Sequence, residues 1–187
     1  MIEFHGHNLL MKYAKEGCSI LELGNQEMNL AESQSIFAKE YYSNLGYEHT
    51  SVDQNGRNGA IEVDLGKPIS FIGKFDIITD FGTTEHVYNA YECLANVVKH
   101  TKDGTIIIHK NPKTKNFPGH GNHYFTLKFW EAWAELCKLE VLELYEHPIY
   151  HNTIDGWECI AVLKANKETI VPSASEFEKI KKLLKKK

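Results

Sequence analysis

Short apolar runs rich in isoleucine and valine alternate along the chain with stretches in which apolar residues recur at helical spacing. This alternation is typical of α/β proteins. It predicts seven strands, over residues 18–23, 49–52, 61–63, 75–79, 105–109, 140–145 and 157–163. It also predicts helices over residues 8–15, 29–44 and 89–99, and a fourth helix with Thr126 as its N-cap.

The character and order of these elements predict the topology of the sheet. Residues 105–109 form a continuous β-branched run, as in strands buried on both faces of a parallel sheet. The last two strands are joined by about a dozen residues without a helical pattern, so they should pair antiparallel. We therefore expect an α/β fold: a doubly wound, mostly parallel seven-stranded sheet with an antiparallel hairpin at one edge.

The length of 187 residues suits one domain. We expect it to span residues 1–170, with residues 171–187 forming a basic C-terminal helix or tail. Residues 179–187 contain six lysines around Ile180, Leu183 and Leu184. This pattern favours a solvated helix with one apolar stripe over a surface that binds a polyanion or a membrane.

Composition and charge narrow the possible functions. Apolar residues make up 42% and charged residues 25%, as in ordinary globular proteins, and no apolar run approaches the ~20 residues of a membrane helix. The net charge is −4, and Arg57 is the one arginine among 21 basic residues, which disfavours nucleic acid as a partner. The four cysteines are widely spaced, which indicates buried free thiols in a protein of a reducing compartment. We expect a cytoplasmic protein without a membrane span.

Acidic residues lie at the ends of four predicted strands: Glu22, Asp53, Asp64 and Asp80. Ligands of such sheets bind at the C-terminal ends of the strands. A mouth lined with carboxylates suits hydroxyls, amines or a positive charge and repels a phosphate. The turn after the first strand has one glycine, Gly24, of the three in GxGxxG, which also disfavours a dinucleotide and hence an oxidoreductase. S-adenosylmethionine, with its ammonium, sulfonium and ribose hydroxyls, suits this mouth better.

Five segments in order carry a resemblance to a known family. They read ILELG, SVDQNG, EVDLG, FDIITDFGTTEHV and GTIIIHKNP. Their order and spacing, over about residues 17–165, resemble class I S-adenosylmethionine-dependent methyltransferases. The resemblance implies a methyltransferase with S-adenosylmethionine as its cofactor. It also implies that Glu22 and Gly24 frame the methionine end of the cofactor, while Asp80 and Phe81 flank the methionine portion.

The resemblance also implies that two of the acidic residues at the strand ends, Asp53 and Asp64, bind the nucleoside. Asp53 would accept the ribose hydroxyls, and Asp64 would lie near the adenine amino group. Both also have a simpler interpretation as turn residues before Gly56 and Gly66. Gly24 likewise fits an ordinary turn.

The first motif departs from the family pattern, in which two further glycines follow the first. Gln26 and Met28 stand at their places here. A non-catalytic module of the same fold that binds a partner is therefore the alternative function. Thr83, Thr84 and Glu85 fit either a contact with the cofactor or the cap of the helix that follows.

Methyl transfer from a sulfonium is an in-line displacement that needs alignment and no covalent nucleophile. A hydroxyl acceptor needs a base, and His109 and His123 are the predicted catalytic residues. His109 also fits a plain hydrogen-bonded strand end. The spacing of His120 and His123 is compatible with a metal site that has His109 or Glu85 as a further ligand. Such spacing is common by chance, however, and we expect no metal. The chain leaves little room for a substrate domain, so we expect a small-molecule acceptor. The methylated atom of that acceptor can be oxygen, nitrogen or carbon.

Overall fold

The computed structural model describes residues 1–30, 36–113, 119–151 and 154–186. One mixed sheet of seven strands runs through it, in the order β3-β2-β1-β4-β5-β7-β6. Strands β1 to β5 are parallel, and β7 runs antiparallel to both β5 and β6. The predicted fold class is therefore confirmed. The strands are β1 (Ser19–Leu23), β2 (Glu48–Asp53), β3 (Ile61–Glu62), β4 (Phe75–Phe81), β5 (Thr101–Pro112), β6 (Glu140–His151) and β7 (Ile154–Lys164).

Helices cover both faces of the sheet because alternate side chains of the central strands are apolar on each side. Ile77 and Ile108 pack in one core cluster with α1 and α2, while Ile78 and Ile107 pack in a second cluster with α3, α4 and α5. The sheet is thus doubly wound. The helices are α1 (Phe4–Tyr13), α2 (Ala38–Asn44), α3 (Ala90–Lys99), α4 (Leu127–Cys137) and α5 (Ala174–Ile180).

The predicted helix over residues 29–44 is wrong at residues 29–30 and 36–37. Helix α2 begins at Ala38. The N–H of Met28 donates to the carbonyl of Ile36 at 2.9 Å, and the N–H of Ala38 donates to the carbonyl of Gln26 at 2.8 Å. These bonds hold residues 26–28 extended, and Met28–Asn29 pairs with Ile2–Glu3. Residues 31–35 lie outside the described residues.

The closing hairpin is longer than predicted. Strands β6 and β7 extend through most of the segment expected as a link, whose residues 152 and 153 lie outside the described residues. Pro148 sits in register with Trp157 and is tolerated because β6 is an edge strand, where a missing donor costs little.

The C-terminal segment packs against α4 and pairs with residues His123–Tyr124. Ser173 and Glu176 form a capping box at the start of α5, and Phe177 is buried against Phe129 and Trp133 of α4. Lys185–Lys186 then pairs antiparallel with His123–Tyr124. The boundary at residue 170 stays a prediction. None of the helices in the described part of the chain is long and apolar enough to cross a membrane.

Candidate functional site

A cavity of about 620 Å³ opens at the C-terminal ends of β1, β2 and β4. We call it the main cavity. Strand β1 is followed by β2 on one side and flanked by β4 on the other, so the cavity lies where the winding of the sheet changes direction. Gly24, Asp53 and Asp64 line it, as do Gln26, Thr83 and His86. Three of the predicted site residues are thus brought together there.

Gly24 shapes the floor of the main cavity. Its φ of +84° is disfavoured for residues with a side chain, and an added Cβ would lie 2.6 Å from Oγ1 of Thr83 and 2.7 Å from Nε2 of Gln26. The hydroxyl of Thr83 donates to the carbonyl of Leu23 at 2.7 Å, while Nε2 of Gln26 donates to Oγ1 of Thr83 at 3.2 Å. A glycine is therefore required where β1 meets the loop after β4.

Asp53 lies at the end of β2 and serves the turn that follows. Its Oδ1 accepts from the N–H of Asn55 and its Oδ2 from the N–H of Asn25, each at 2.9 Å. Each carboxylate oxygen has a second lone pair, so the side chain can still accept from a ligand hydroxyl. The turn role and the predicted ribose role are compatible in this geometry.

Asp64 combines a turn contact with an exposed ion pair. Its Oδ1 accepts from the N–H of Gly66 at 2.9 Å, and its Oδ2 lies 3.1 Å from Nζ of Lys67. The hydrogen bond from Lys67, helped by the N–H of Gly66, lowers the pKa of Asp64. The carboxylate is thus ionised at neutral pH at the mouth of the cavity.

Glu22 lies beneath the main cavity and does not line it. It is 1% exposed, and its Oε2 is 3.8 Å from Nε2 of His49. Burial raises the pKa of Glu22 well above its ordinary value, which hydrogen bonding to the backbone of Gln26 opposes only in part. Burial also lowers the pKa of His49 to about 4, so both groups favour their neutral forms.

Asp80 and Phe81 also lie below the cavity, in the core. Burial opposes ionisation of Asp80, but hydrogen bonds from His109 and Thr84 outweigh it and hold the pKa of Asp80 below its ordinary value. Phe81 packs in the apolar cluster around α1 and α2. Asp80 accepts hydrogen bonds from the N–H groups of Thr83 and Thr84, the hydroxyl of Thr84, Nδ1 of His109 and Nδ2 of Asn111.

Comparison with solved structures gives the same architecture. An S-adenosylmethionine-dependent methyltransferase from Methanosarcina mazei superposes with a TM-score of 0.59 at 13% identity, over 83% of this chain and 96% of that one. The N-methyltransferase NodS from Bradyrhizobium japonicum gives 0.58 at 15%, over 87% and 96%. The chain has the fold of class I S-adenosylmethionine-dependent methyltransferases. The resemblance seen in the five sequence segments is confirmed for the fold.

A third methyltransferase of this fold was solved with ligands. It is the 1,6-didemethyltoxoflavin-N1-methyltransferase from Burkholderia thailandensis, with bound 1,6-didemethyltoxoflavin and S-adenosylhomocysteine. Its TM-score is 0.60 at 11% identity, over 86% of this chain and 76% of that one. No protein-family model matches the sequence, and no curated protein matches it.

The predicted catalytic histidines do not line the main cavity of this methyltransferase fold. His109 is fully buried, with Nδ1 2.8 Å from Oδ2 of Asp80 and its ring stacked on Trp130 at 4.1 Å. His123 lies on the wall of a second cavity of about 440 Å³, which shares Tyr88 and Asn89 with the main cavity. We call it the second cavity. Both catalytic roles stay predictions.

The tautomer of His123 follows from its one hydrogen bond to the backbone. Its Nε2 lies 3.0 Å from the carbonyl oxygen of Tyr88, which can only accept. The neutral ring therefore carries its proton on Nε2 and leaves the lone pair on Nδ1. That Nδ1 is buried and has no hydrogen-bond partner among the described residues.

Sequence reasoning missed the apolar wall of the main cavity. Val52, Val63, Leu65 and Val87 line it and present a surface suited to a flat base. The available signal was the pair of apolar residues on either side of Asp64 in EVDLG. Among possible metal ligands, the described residues bring together Glu85, His86 and His120.

Proposed function

We propose that this chain binds S-adenosylmethionine in the main cavity and transfers its methyl group to a small molecule held in the second cavity. The observation that carries the proposal is the position of Asp53 and Asp64 beside an apolar wall at the switch point of a methyltransferase fold. A volume of about 620 Å³ is in the range of cofactor sites.

The residues of the main cavity fit the nucleoside part of this cofactor. Asp53 would accept the ribose hydroxyls, and Asp64 would accept from the adenine amino group, with the base against Val63 and Leu65. Of the described residues that line the cavity, Lys67 alone carries a lysine or arginine charge, and Asp64 already pairs with it. The cavity therefore lacks the cations and glycine-rich turn that a pyrophosphate requires.

The methionine end would lie near Gly24, above the buried Glu22 and Asp80. When bound, the cofactor supplies a methyl group activated by a sulfonium, and the rate of its transfer depends on alignment with the acceptor. At Gly24 the cofactor would lie beside the side chains of Gln26 and Thr83, which occupy the space next to the glycine. Asp80 fixes the loop after β4 through its bonds to Thr83 and Thr84.

His123 is the better placed of the two predicted bases. It lines the second cavity, but its Nδ1 is buried, so the ring would have to turn before that nitrogen could take the proton of an acceptor hydroxyl. His109 is enclosed by Asp80 and Trp130, so its geometry favours a role in positioning Asp80. The second cavity adjoins the main cavity through Tyr88 and Asn89, which would place acceptor and donor side by side.

A non-catalytic binding module is the second candidate. The side chain of Gln26 lies over Gly24 and bonds to Thr83, where the family has a glycine. Met28, at the other altered position, is buried in the core. This arrangement narrows the methionine end of the cavity. We also propose a cytoplasmic location without nucleic-acid partners, because all four cysteines are unpaired and the chain is acidic.

Calorimetry with S-adenosylhomocysteine tests the proposal. We expect a dissociation constant in the micromolar range and a loss of at least about tenfold in Asp53→Ala, since the ribose hydroxyls lose their acceptor. Asp103→Ala removes an exposed carboxylate outside the cavity and should leave the affinity unchanged. Absence of heat at millimolar ligand, with a folded protein by circular dichroism, would favour the binding module.

A further inference from the structure

Glu85, His86 and His120 converge beside the main cavity, whose wall includes His86. Oε1 of Glu85 lies 3.8 Å from Nε2 of His86 and 3.7 Å from Nε2 of His120. One ligand atom from each side chain lies within 4.8 Å of the other two. From this convergence we propose that the three side chains bind a divalent transition-metal ion of the Zn²⁺ type.

Glu85 is held in the orientation that a ligand needs. Its side chain is 1% exposed, and its Oε2 accepts from Nδ2 of Asn111 at 3.0 Å. This bond leaves Oε1 facing the two imidazoles. A partner that holds the far oxygen of a carboxylate is typical of the groups that orient metal ligands.

The loop that carries His120 is fixed against the segment that carries the other two ligands. The N–H of Asn122 donates to the carbonyl of Glu85 at 2.6 Å, and Nδ2 of Asn122 donates to the carbonyl of His86 at 2.8 Å. Gly121 has a φ of +67°, and a Cβ there would lie 2.9 Å from the carbonyl oxygen of Glu85. A glycine therefore permits the close docking that brings His120 to Glu85.

The ligand atoms are somewhat farther apart than in a formed metal site. With metal–ligand bonds of ~2.0–2.2 Å in a tetrahedral zinc site, neighbouring ligand atoms are separated by roughly 3.3–3.5 Å. The separations of 3.7 and 3.8 Å from Glu85 exceed this range by a few tenths of an ångström, and the two imidazoles, which lie within 4.8 Å of each other, would move together when the ion binds. His86 and His120 are half exposed, so an ion can reach them without opening the fold.

Two imidazoles and one carboxylate form the donor set of many catalytic zinc sites, which keep an open coordination position. At the wall of the main cavity that position would take water or an oxygen of the acceptor and lower its pKa. This last role rests on the proposed function, whereas ion binding does not.

Titration calorimetry of the metal-free full chain with ZnCl₂ tests the site. We expect one ion per chain with micromolar or tighter affinity. His120→Ala should weaken binding by at least about tenfold while the protein stays folded, because the residue is half exposed. Glu85→Gln should weaken it similarly, since a neutral amide oxygen is a poorer ligand than a carboxylate.

The matched control is His147→Ala. His147 stacks on His5 with ring centroids 3.6 Å apart, so it belongs to another pair of neighbouring histidines. Its loss should leave zinc binding unchanged. The inference is overturned if the wild-type chain gives no zinc heat, or if His147→Ala weakens binding while His120→Ala does not. A chain that binds S-adenosylhomocysteine but no zinc overturns this inference alone, and the reverse result overturns only the proposed function.

Discussion

Oδ2 of Asp80 lies 2.8 Å from Nδ1 of His109, and neither side chain is exposed. The pair joins β4 to β5 directly beneath the main cavity. Since Asp80 also accepts from the backbone N–H groups of Thr83 and Thr84, the same carboxylate fixes the loop that forms one side of the cavity. The stability of the fold and the shape of the site therefore depend on one buried anion.

Replacing this anion should be costly. Asp80→Ala leaves the buried donors of His109 and Thr84 without an acceptor, so we expect the free energy of unfolding to fall by about 3 kcal/mol or more. Urea denaturation of wild type and variant measures the change. Asp103→Ala, at an exposed position of β5, should shift the midpoint little. Equal effects in the two variants would contradict the role assigned to Asp80.

Gly24 and Gly46 offer a matched pair of substitutions. Both have a positive φ, +84° and +89°, but an added Cβ at Gly24 would clash with Thr83 and Gln26, while at Gly46 it would meet nothing within 4 Å. Each alanine variant should lose about 1 kcal/mol of stability through backbone strain. Only Gly24→Ala should also lose affinity for S-adenosylhomocysteine, by about tenfold or more, in titration calorimetry. A similar loss in Gly46→Ala would show that the effect is not local.

Gln26→Gly tests the altered first motif. The Gln26 side chain lies over Gly24, so its removal should widen the end of the main cavity that we propose for the methionine part of the cofactor. Binding of S-adenosylhomocysteine should then improve several-fold. The thermal shift produced by a fixed ligand concentration is a suitable readout. Weaker binding in this variant would show that Gln26 itself contacts the ligand.

Glu22 should make the protein less stable at high pH. Its pKa in the folded state is raised by burial, so the native state keeps a proton that the unfolded chain has lost, and stability falls as the pH rises above the ordinary glutamate range. Glu22→Gln should therefore gain on the order of 1 kcal/mol or more at pH 8 and little at pH 4. The exposed Glu48→Gln on β2 is the control. An unchanged pH slope in Glu22→Gln would refute the assignment.

The sequence predicts the sheet and its binding edge well because parallel strands buried on both faces leave continuous apolar runs that end in polar residues. It does not show which way each polar side chain points. Asp53 and Asp64 face the main cavity, whereas Glu22 and Asp80 turn into the core. That difference depends on strand register and on packing between distant residues, which the amino-acid sequence does not specify directly.

Long-range backbone hydrogen bonds explain two features that the sequence does not predict, the late start of α2 and the position of His120. The spacing of Leu30, Phe37 and Tyr41 fits a helix, but residues 26–28 pair with Ile36 and Ala38 instead. The contact of Asn122 with Glu85, which brings His120 to its neighbours, joins residues 37 positions apart and has no local signature.

The C-terminal residues from Phe177 onward help to enclose the second cavity. Phe177, Lys181 and Leu184 form part of the second cavity, and Lys185–Lys186 pairs with the segment that holds His123. Removing this end would open one side of the second cavity. If that cavity holds the methyl acceptor as proposed, a shortened protein would still bind the cofactor in the main cavity but would lose selectivity for its acceptor.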